Sequence, residues 1–194
     1  MLLRRPVLIA LLALGLGPSR AVAQAGLTSV VRTVAINATK ASSLTISIGS
    51  GSVQTLANVA DNAINPFAVP VRVTTSWSVN PGTATVRLLC YFSNAAQALA
   101  NGTNYLASAR MEGQVLTLPV TTWQPTTWTA FTQNSSAGVG VNGATLRLMR
   151  LNITPANQQS SRTIDIDLRL NLTGQAPIVA GTYTGTVTLR AFTT

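Results

Sequence analysis

The sequence predicts an all-β protein built as an antiparallel β-sandwich, and three observations predict it. Apolar and polar residues alternate with a period of two in several segments, as in strands buried on one face and wetted on the other. Turn-forming residues such as those at 80–82 separate these segments. Beyond the first residues, no segment has the pattern of a long helix. Eight to ten short strands are expected, and a two-sheet sandwich is favoured over a barrel.

The N-terminus has the pattern of a signal peptide. Arg4 and Arg5 precede an apolar run over residues 6–16. This run has the length of a signal-peptide core and is too short for a membrane span. Small residues at 21–23 and 23–25 then offer two cleavage sites, so cleavage is expected after Ala23 or Ala25.

The chain is therefore predicted to consist of a helical signal peptide at 1–25 and a single domain at 26–194. The alternative is an uncleaved N-terminal anchor. With the leader removed, no long apolar run remains. We expect an exported protein (periplasmic, cell-surface or extracellular) with no membrane span in its mature form.

The first half of the domain contains a series of predicted strands. Strands are expected at 30–38 and 44–48, with a further one considered at 53–59, before a loop at 60–70 that contains two prolines. Residues 71–79 and 83–92 alternate clearly and flank the turn Asn80-Pro81-Gly82. This arrangement predicts an antiparallel hairpin. Its second strand places Cys90, the one cysteine of the chain, on the core face as a small buried hydrophobe.

The second half continues this pattern with weaker signals in its first part. A helical turn is considered at 95–99, and short strands are expected around Tyr105 and Val115. Further strands are predicted at the ranges 128–132, 145–153, 163–173 and 183–192. A shift of parity near Met149 and Arg150 indicates a β-bulge in the second of these four strands. The whole set predicts an immunoglobulin-like antiparallel β-sandwich.

The charges give no indication of a nucleic-acid partner. Charged residues make up 9% of the sequence, and its formal charge is +9. Losing Arg4, Arg5 and Arg20 with the leader leaves ten basic residues against four acids, a charge of about +6. The basic residues are scattered singly along the chain, whereas nucleic-acid binding usually shows a clustered patch. No nucleic-acid partner is expected, although a mild attraction to anionic surface polymers is compatible with this charge.

The sequence lacks the groups that catalysis commonly uses. It contains no histidine and only four acidic residues. Asp165 and Asp167 share the outward face of one predicted strand beside Arg169, where charges usually serve solubility. No phosphate loop, zinc spacing or nucleophile elbow is present. A protein that is not an enzyme, with no catalytic residues, no metal and no cofactor, is predicted.

Two tryptophans are candidates for contact with a ligand or a partner. Trp123 and Trp128 flank a predicted turn at 124–125. Aromatic side chains that are exposed can stack on sugar rings or anchor a protein interface. The alternative interpretation is that both pack in the core.

Two segments resemble one family of bacterial surface proteins. The sequence AGTYTGTVTL at 180–189 resembles the closing strand of spore-coat-protein-U-like and fimbrial (chaperone–usher) subunits. The segments VAINAT at 34–39 and ASSLTI at 41–46 resemble the first strand of the same domains. Such subunits often have a cysteine near this strand, where the present chain has Ser42 and Ser43.

The resemblance implies an incomplete immunoglobulin-like sandwich that is completed by a strand from a neighbouring subunit. The candidate exchange segment is 26–39, with its apolar alternation of Val30, Val34, Ile36 and Ala38. An equally open interpretation makes this segment the domain's own first strand. The expected function is a structural or adhesive surface subunit, with a second copy or other surface subunits as partners. The alternative is a monomeric secreted module that binds a carbohydrate or a protein.

Overall fold

The computed structural model describes residues 35–116, 123 and 125–194. The predicted signal peptide, Val30 and Val34 lie outside the described residues. The chain divides into two units, 1–38 and 39–194. Of the first unit, residues 35–38 are described, and they are exposed and belong to no helix or strand. All the strands below lie in the second unit.

The second unit is all-β, as predicted, and its sheets are antiparallel. The first sheet has the strand order β1 (Ser43–Ser50), β3 (Val71–Ser78), β10 (Gln159–Asn171), β7 (Met111–Val115) and β8 (Thr129–Ala130), and β2 (Ile64–Pro66) also pairs with β10. The second sheet has the order β11 (Thr188–Thr193), β4 (Thr85–Tyr91) and β9 (Thr145–Asn152). A small hairpin consists of β5 (Leu99–Asn101) and β6 (Asn104–Leu106). Two short 3-10 helices lie at Ser108–Arg110 and Pro155–Asn157.

The alternation in the sequence determines which side chains are buried. In β3, Val71, Val73, Thr75 and Trp77 are buried, and the residues between them are more exposed. β10 shows the same alternation from Ile164 to the end of the strand. The two strands are paired along the whole of β3, so their apolar residues cover one face of the first sheet together.

Both larger sheets contribute to one hydrophobic core. Val73 and Ile164 of the first sheet belong to the same buried cluster as Leu88 and Leu146 of the second. Cys90 also belongs to this cluster and is 2% exposed. Its predicted place on the core face is therefore confirmed. The surrounding apolar atoms disfavour a thiolate, so burial raises the pKa of the thiol well above its ordinary value.

The predicted hairpin between residues 71–79 and 83–92 is wrong. The turn is present, and the Thr83 amide donates to the Asn80 carbonyl over 3.2 Å. However, β3 pairs with β1 and β10, whereas β4 pairs with β9 and β11. The chain thus passes from one sheet to the other at this turn. Because both strands carry an apolar face, alternation alone cannot distinguish a hairpin from a connection between sheets.

Other local predictions are corrected in their boundaries or type. Residues 53–59 form no strand, and 95–99 form no helical turn. The last strand begins at Thr188 and not at Tyr183, since the regular pairing with β4 starts there. Before it, Thr184 makes an isolated bridge with Ala100. The predicted bulge in β9 exists, but the register places it one residue before Met149, at Leu148.

No helix in the described ranges of the chain has both the length and the apolarity that a membrane crossing requires.

Candidate functional site

An apolar groove of about 790 Å³ opens at one side of the second unit. We refer to it as the edge groove, because it is lined by Ile48 of β1 and Leu189 of β11. Within the described residues, each of these strands ends its sheet, since β1 pairs with β3 and β11 pairs with β4. An end strand presents main-chain N–H and C=O groups that are not used by its own sheet. The groove therefore combines apolar side chains with two strand edges.

Core side chains form the inner wall of the edge groove. Val71, Leu168 and Leu170 of the first sheet line it, as do Cys90 and Phe92 from β4 and the residue that follows it. These residues are at most 8% exposed. The groove therefore reaches down to the hydrophobic core, and a side chain inserted there would contact the same residues that hold the two sheets together.

The outer wall of the edge groove carries apolar residues that are exposed. The described chain has nine large hydrophobic side chains that are exposed, and four of them line this groove. They are Ile48 (46% exposed), Val53 (81%), Val59 (38%) and Val179 (55%). Single apolar residues on a surface are ordinary, but a contiguous set beside an opening to the core is typical of an interaction site.

Two segments without regular structure border the groove, residues 51–61 and 178–187. The first is held by Gln54, whose Nε2 donates to the carbonyl oxygens of Gly51 and Val69 over 2.8 and 3.0 Å. The second is attached to the first through the Ile178 amide, which donates to Asp61 Oδ1 over 3.0 Å. These bonds give the borders of the groove a defined position.

The predicted exchange residues are only partly described. Ile36 is 87% exposed and Ala38 is exposed, and neither is in a strand. The regular pairing of the first sheet begins at Ser43. The alternation of Val30 and Val34 with these two residues remains a prediction from the sequence.

Trp123 lies in the middle of a group of arginines. The guanidinium carbons of Arg87, Arg147 and Arg150 lie 5.3, 4.9 and 5.5 Å from the centroid of its indole ring. We call these three residues the arginine cluster. All three and Trp123 are half-buried. Burial lowers the pKa of Arg87, and the positive charges of Arg150 and Arg147 lower it further.

This cluster was not predicted from the sequence, because Arg87, Trp123 and the pair of Arg147 and Arg150 lie in three separate segments of the chain. β4 and β9 are antiparallel, and their register places Arg87 opposite Arg150. Trp123 forms an isolated β-bridge with Arg150, which places Trp123 beside β9. Only the pairing of β4 with β9, and not the pattern within either strand, could have predicted the cluster.

Trp128 has a different environment from Trp123. Its half-buried ring lies 4.2 Å from the guanidinium carbon of Arg169, a residue of β10. Arg169 Nε donates to Glu112 over 2.5 Å, and Asn171 donates to the other oxygen of the same carboxylate over 2.9 Å. The two candidate tryptophans thus contact arginines of different sheets, and each ring already packs against a guanidinium group.

The two neighbouring aspartates of β10 have different surroundings. Arg72 donates to both oxygens of Asp165, over 2.7 and 2.8 Å. Burial raises the pKa of Asp167, and the charge of Asp165 raises it further. In the described part of the chain, histidine, cysteine, aspartate and glutamate nowhere gather in a group of three that could hold a metal ion.

Comparison of the chain with family models, with curated proteins and with solved structures finds no match.

Proposed function

We propose that this chain is a non-catalytic structural subunit of an exported surface assembly, in which each copy donates its N-terminal segment to the next. In this proposal the two larger sheets form an incomplete immunoglobulin-like sandwich. The segment 26–39 of a second copy occupies the edge groove and adds a strand beside β11 or β1. The resemblance of residues 34–39 and 180–189 to spore-coat-protein-U-like and fimbrial subunits supports the same proposal.

The observation that carries the proposal is the edge groove itself, with an end strand on each side. Strand addition draws its affinity from main-chain hydrogen bonds and its specificity from alternate side chains that enter pockets. Both requirements are present here, since β1 and β11 end their sheets and the groove reaches Val71 and Leu168 in the core. Covering exposed apolar surface gains about 25 cal/mol per Å², so the side chains at the border favour an occupant.

The N-terminal segment fits this role in length and pattern. A strand from Val30 to Ala38 would span about 30 Å, and β1, one of the two bordering strands, has 8 residues. From Val30 to Ala38 every second residue is apolar except Arg32, which shares the parity of Val34 and Ile36. The groove has one acidic lining residue, Asp61. We therefore place Arg32 of the donor near Asp61 of the acceptor, which sets the register of the added strand.

The proposal is tested with full-length mature variants that lose either the donor or the acceptor function. Ile36→Arg puts a charge into the donor segment, and Ile48→Arg puts one at the border of the groove. Ile64→Arg is the matched control, because Ile64 is 48% exposed, close to the 46% of Ile48, but does not line the groove. Mass is measured by size-exclusion chromatography with light scattering.

The unchanged chain and the control variant are expected to form concentration-dependent polymers, and the two test variants to stay monomeric. Mixing the two test variants should give dimers and nothing larger, since one retains the donor and the other the acceptor. Charge reversal at both Arg32 and Asp61 should restore the assembly that either reversal alone weakens. A stable monomer of the unchanged chain that unfolds when Ile36 is replaced would instead make the segment the domain's own strand and reject the proposal.

A further inference from the structure

We propose that the arginine cluster and Trp123 form a binding site for one anionic group of an acidic polysaccharide, separate from the edge groove. The group is a carboxylate or a sulfate, and both present the oxygen acceptors that guanidinium forks recognise. This site does not depend on strand exchange.

The geometry provides a compact set of cations around one aromatic ring. The guanidinium carbons of Arg87, Arg147 and Arg150 all lie within 5.5 Å of the same ring centroid. The ring attracts these cations and partly offsets their mutual repulsion. Three like charges that share one ring remain a place where an anion is favoured, because it would be attracted by all of them.

Three of the four acidic residues bond groups outside the arginine cluster, and the fourth lies on the other sheet. Asp165 and Glu112 form the two salt bridges found in the described residues, with Arg72 and Arg169. Asp61 accepts from the Ile178 amide, and Asp167 lies on β10 in the other sheet. No carboxylate in the described ranges forms a salt bridge with Arg87 or Arg147.

Neutral contacts hold two of the guanidinium groups and leave donors for a ligand. Arg87 donates through Nε to Thr85 Oγ1 over 3.0 Å and through Nη1 to Ser136 Oγ over 2.9 Å. Arg147 donates through Nη2 to the carbonyl oxygen of Asn134 over 3.3 Å. Nη2 of Arg87 and Nη1 of Arg147 make no hydrogen bond to the residues that the structure describes. Two oriented donors are thus retained beside the indole.

The compactness of the cluster favours a polysaccharide over a nucleic acid. A nucleic-acid backbone is followed by a stripe of basic residues that contacts several successive phosphates. Here the cations converge on one ring, and Arg72 and Arg169 are neutralised by carboxylates. One charged group on a sugar unit suits such a site, because a single carboxylate or sulfate can accept hydrogen bonds from the converging arginines.

The test measures binding of polygalacturonate, dextran sulfate, uncharged dextran and a single-stranded oligonucleotide to the full mature chain by calorimetry. Arg147→Gln and Arg150→Gln each remove one charge from the cluster. Arg110→Gln is the matched control, because it removes the same charge from a residue that bonds the Thr173 carbonyl instead. Thermal unfolding of each variant shows whether it is folded. Two cluster variants are measured so that the test still stands if one of them does not fold.

We expect at least one acidic polysaccharide to bind, with affinity reduced about tenfold in a cluster variant and less than about twofold in the control. The carboxylated and sulfated polymers distinguish the two sources of the anionic group. An equal loss of affinity in the cluster variants and in the control would show that binding is a diffuse attraction between charges, and it would overturn the proposal. Failure of both acidic polysaccharides to bind, or tighter binding of the oligonucleotide, would overturn it as well.

Discussion

The indole Nε1 of Trp77 donates a hydrogen bond to the main-chain carbonyl oxygen of Asn157 over 2.8 Å. Trp77 is 2% exposed, so this bond connects the buried end of β3 to the 3-10 helix that precedes β10. Trp77→Phe keeps an aromatic ring but removes the donor. We expect the free energy of unfolding to fall by about 1–3 kcal/mol, because the half-buried carbonyl of Asn157 loses its donor and the smaller ring fills less of the core.

Urea denaturation followed by circular dichroism measures this loss. Tyr105→Phe is the control, because it also removes one polar hydrogen from an aromatic side chain, but at a position that is 47% exposed. The control should change the unfolding midpoint little. Equal midpoints for both variants would mean that the Trp77 bond contributes nothing to stability.

The position of Trp77 shows what the sequence predicts and what it cannot. The parity of Val71, Val73 and Trp77 correctly predicted the inward face of β3, because burial and alternation are linked within one strand. The bond to Asn157 was not predictable, since it joins residues 80 positions apart. The same limit explains the missed crossing at Asn80, where the choice between hairpin and inter-sheet connection depends on distant strands.

Gly113 lies on β7 of the first sheet, where a side chain of the second sheet approaches its backbone closely. It pairs with Leu168 across β7 and β10, and a Cβ atom placed on it would lie 2.5 Å from Leu146 Cδ2 of β9. Leu146 is fully buried and cannot move aside without displacing the core. We expect Gly113→Ala to lower the free energy of unfolding by about 1–3 kcal/mol through overpacking.

Thermal and urea unfolding test this expectation. Gly49→Ala is the matched control, since a Cβ there would meet Arg72 at an ordinary 3.5 Å. If Gly113→Ala were as stable as this control, the two sheets would have to be farther apart than the structure places them.

The two candidate sites differ in how much of them the sequence could indicate. The alternation at Ile36 and the resemblance at 180–189 predict strand exchange from the sequence alone. The edge groove itself needed the order, because only pairing shows that β1 and β11 end their sheets. The arginine cluster was not predicted: Arg147 and Arg150 are three residues apart on β9, but Arg87 and Trp123 join them only when the strand pairing is known. Sites made by neighbouring strands of distant sequence are invisible to any single-strand pattern.

The two salt bridges are expected to differ in their contribution to stability. In the pair of Arg169 with Glu112 the side chains are 18% and 15% exposed, whereas Arg72 opposite Asp165 is 57% exposed. Glu112→Gln leaves the half-buried Arg169 without its counter-charge and should cost about 2–4 kcal/mol. Arg72→Gln should cost less, because water already screens that pair. Urea unfolding at low and high salt measures the loss of stability in the two variants. An equal loss in both would contradict the difference in burial between the two salt bridges.

Asp167 is expected to make the protein less stable as the pH rises. Its pKa is raised in the folded state, by burial first and by the charge of Asp165 second. The folded chain therefore holds this proton more tightly than the unfolded chain, whose aspartate titrates near about 3.9. By linkage, the free energy of unfolding decreases as the pH rises from that value through the raised one, and it is constant above.

Asp167→Asn removes the free-energy cost of holding a charged carboxylate at this position and should raise the unfolding midpoint at neutral pH. The gain should shrink as the pH falls and disappear near the pKa of the unfolded aspartate, because the carboxyl is then protonated in both states. Glu112→Gln provides a contrast of opposite sign, since its carboxylate is bonded to Arg169 and Asn171 and its loss should destabilise at neutral pH. The midpoints are measured by thermal unfolding between pH values of about 3 and 7. A gain from Asp167→Asn that is the same at every pH would mean that the substitution acts through packing, and that the charge of Asp167 carries no penalty in the fold.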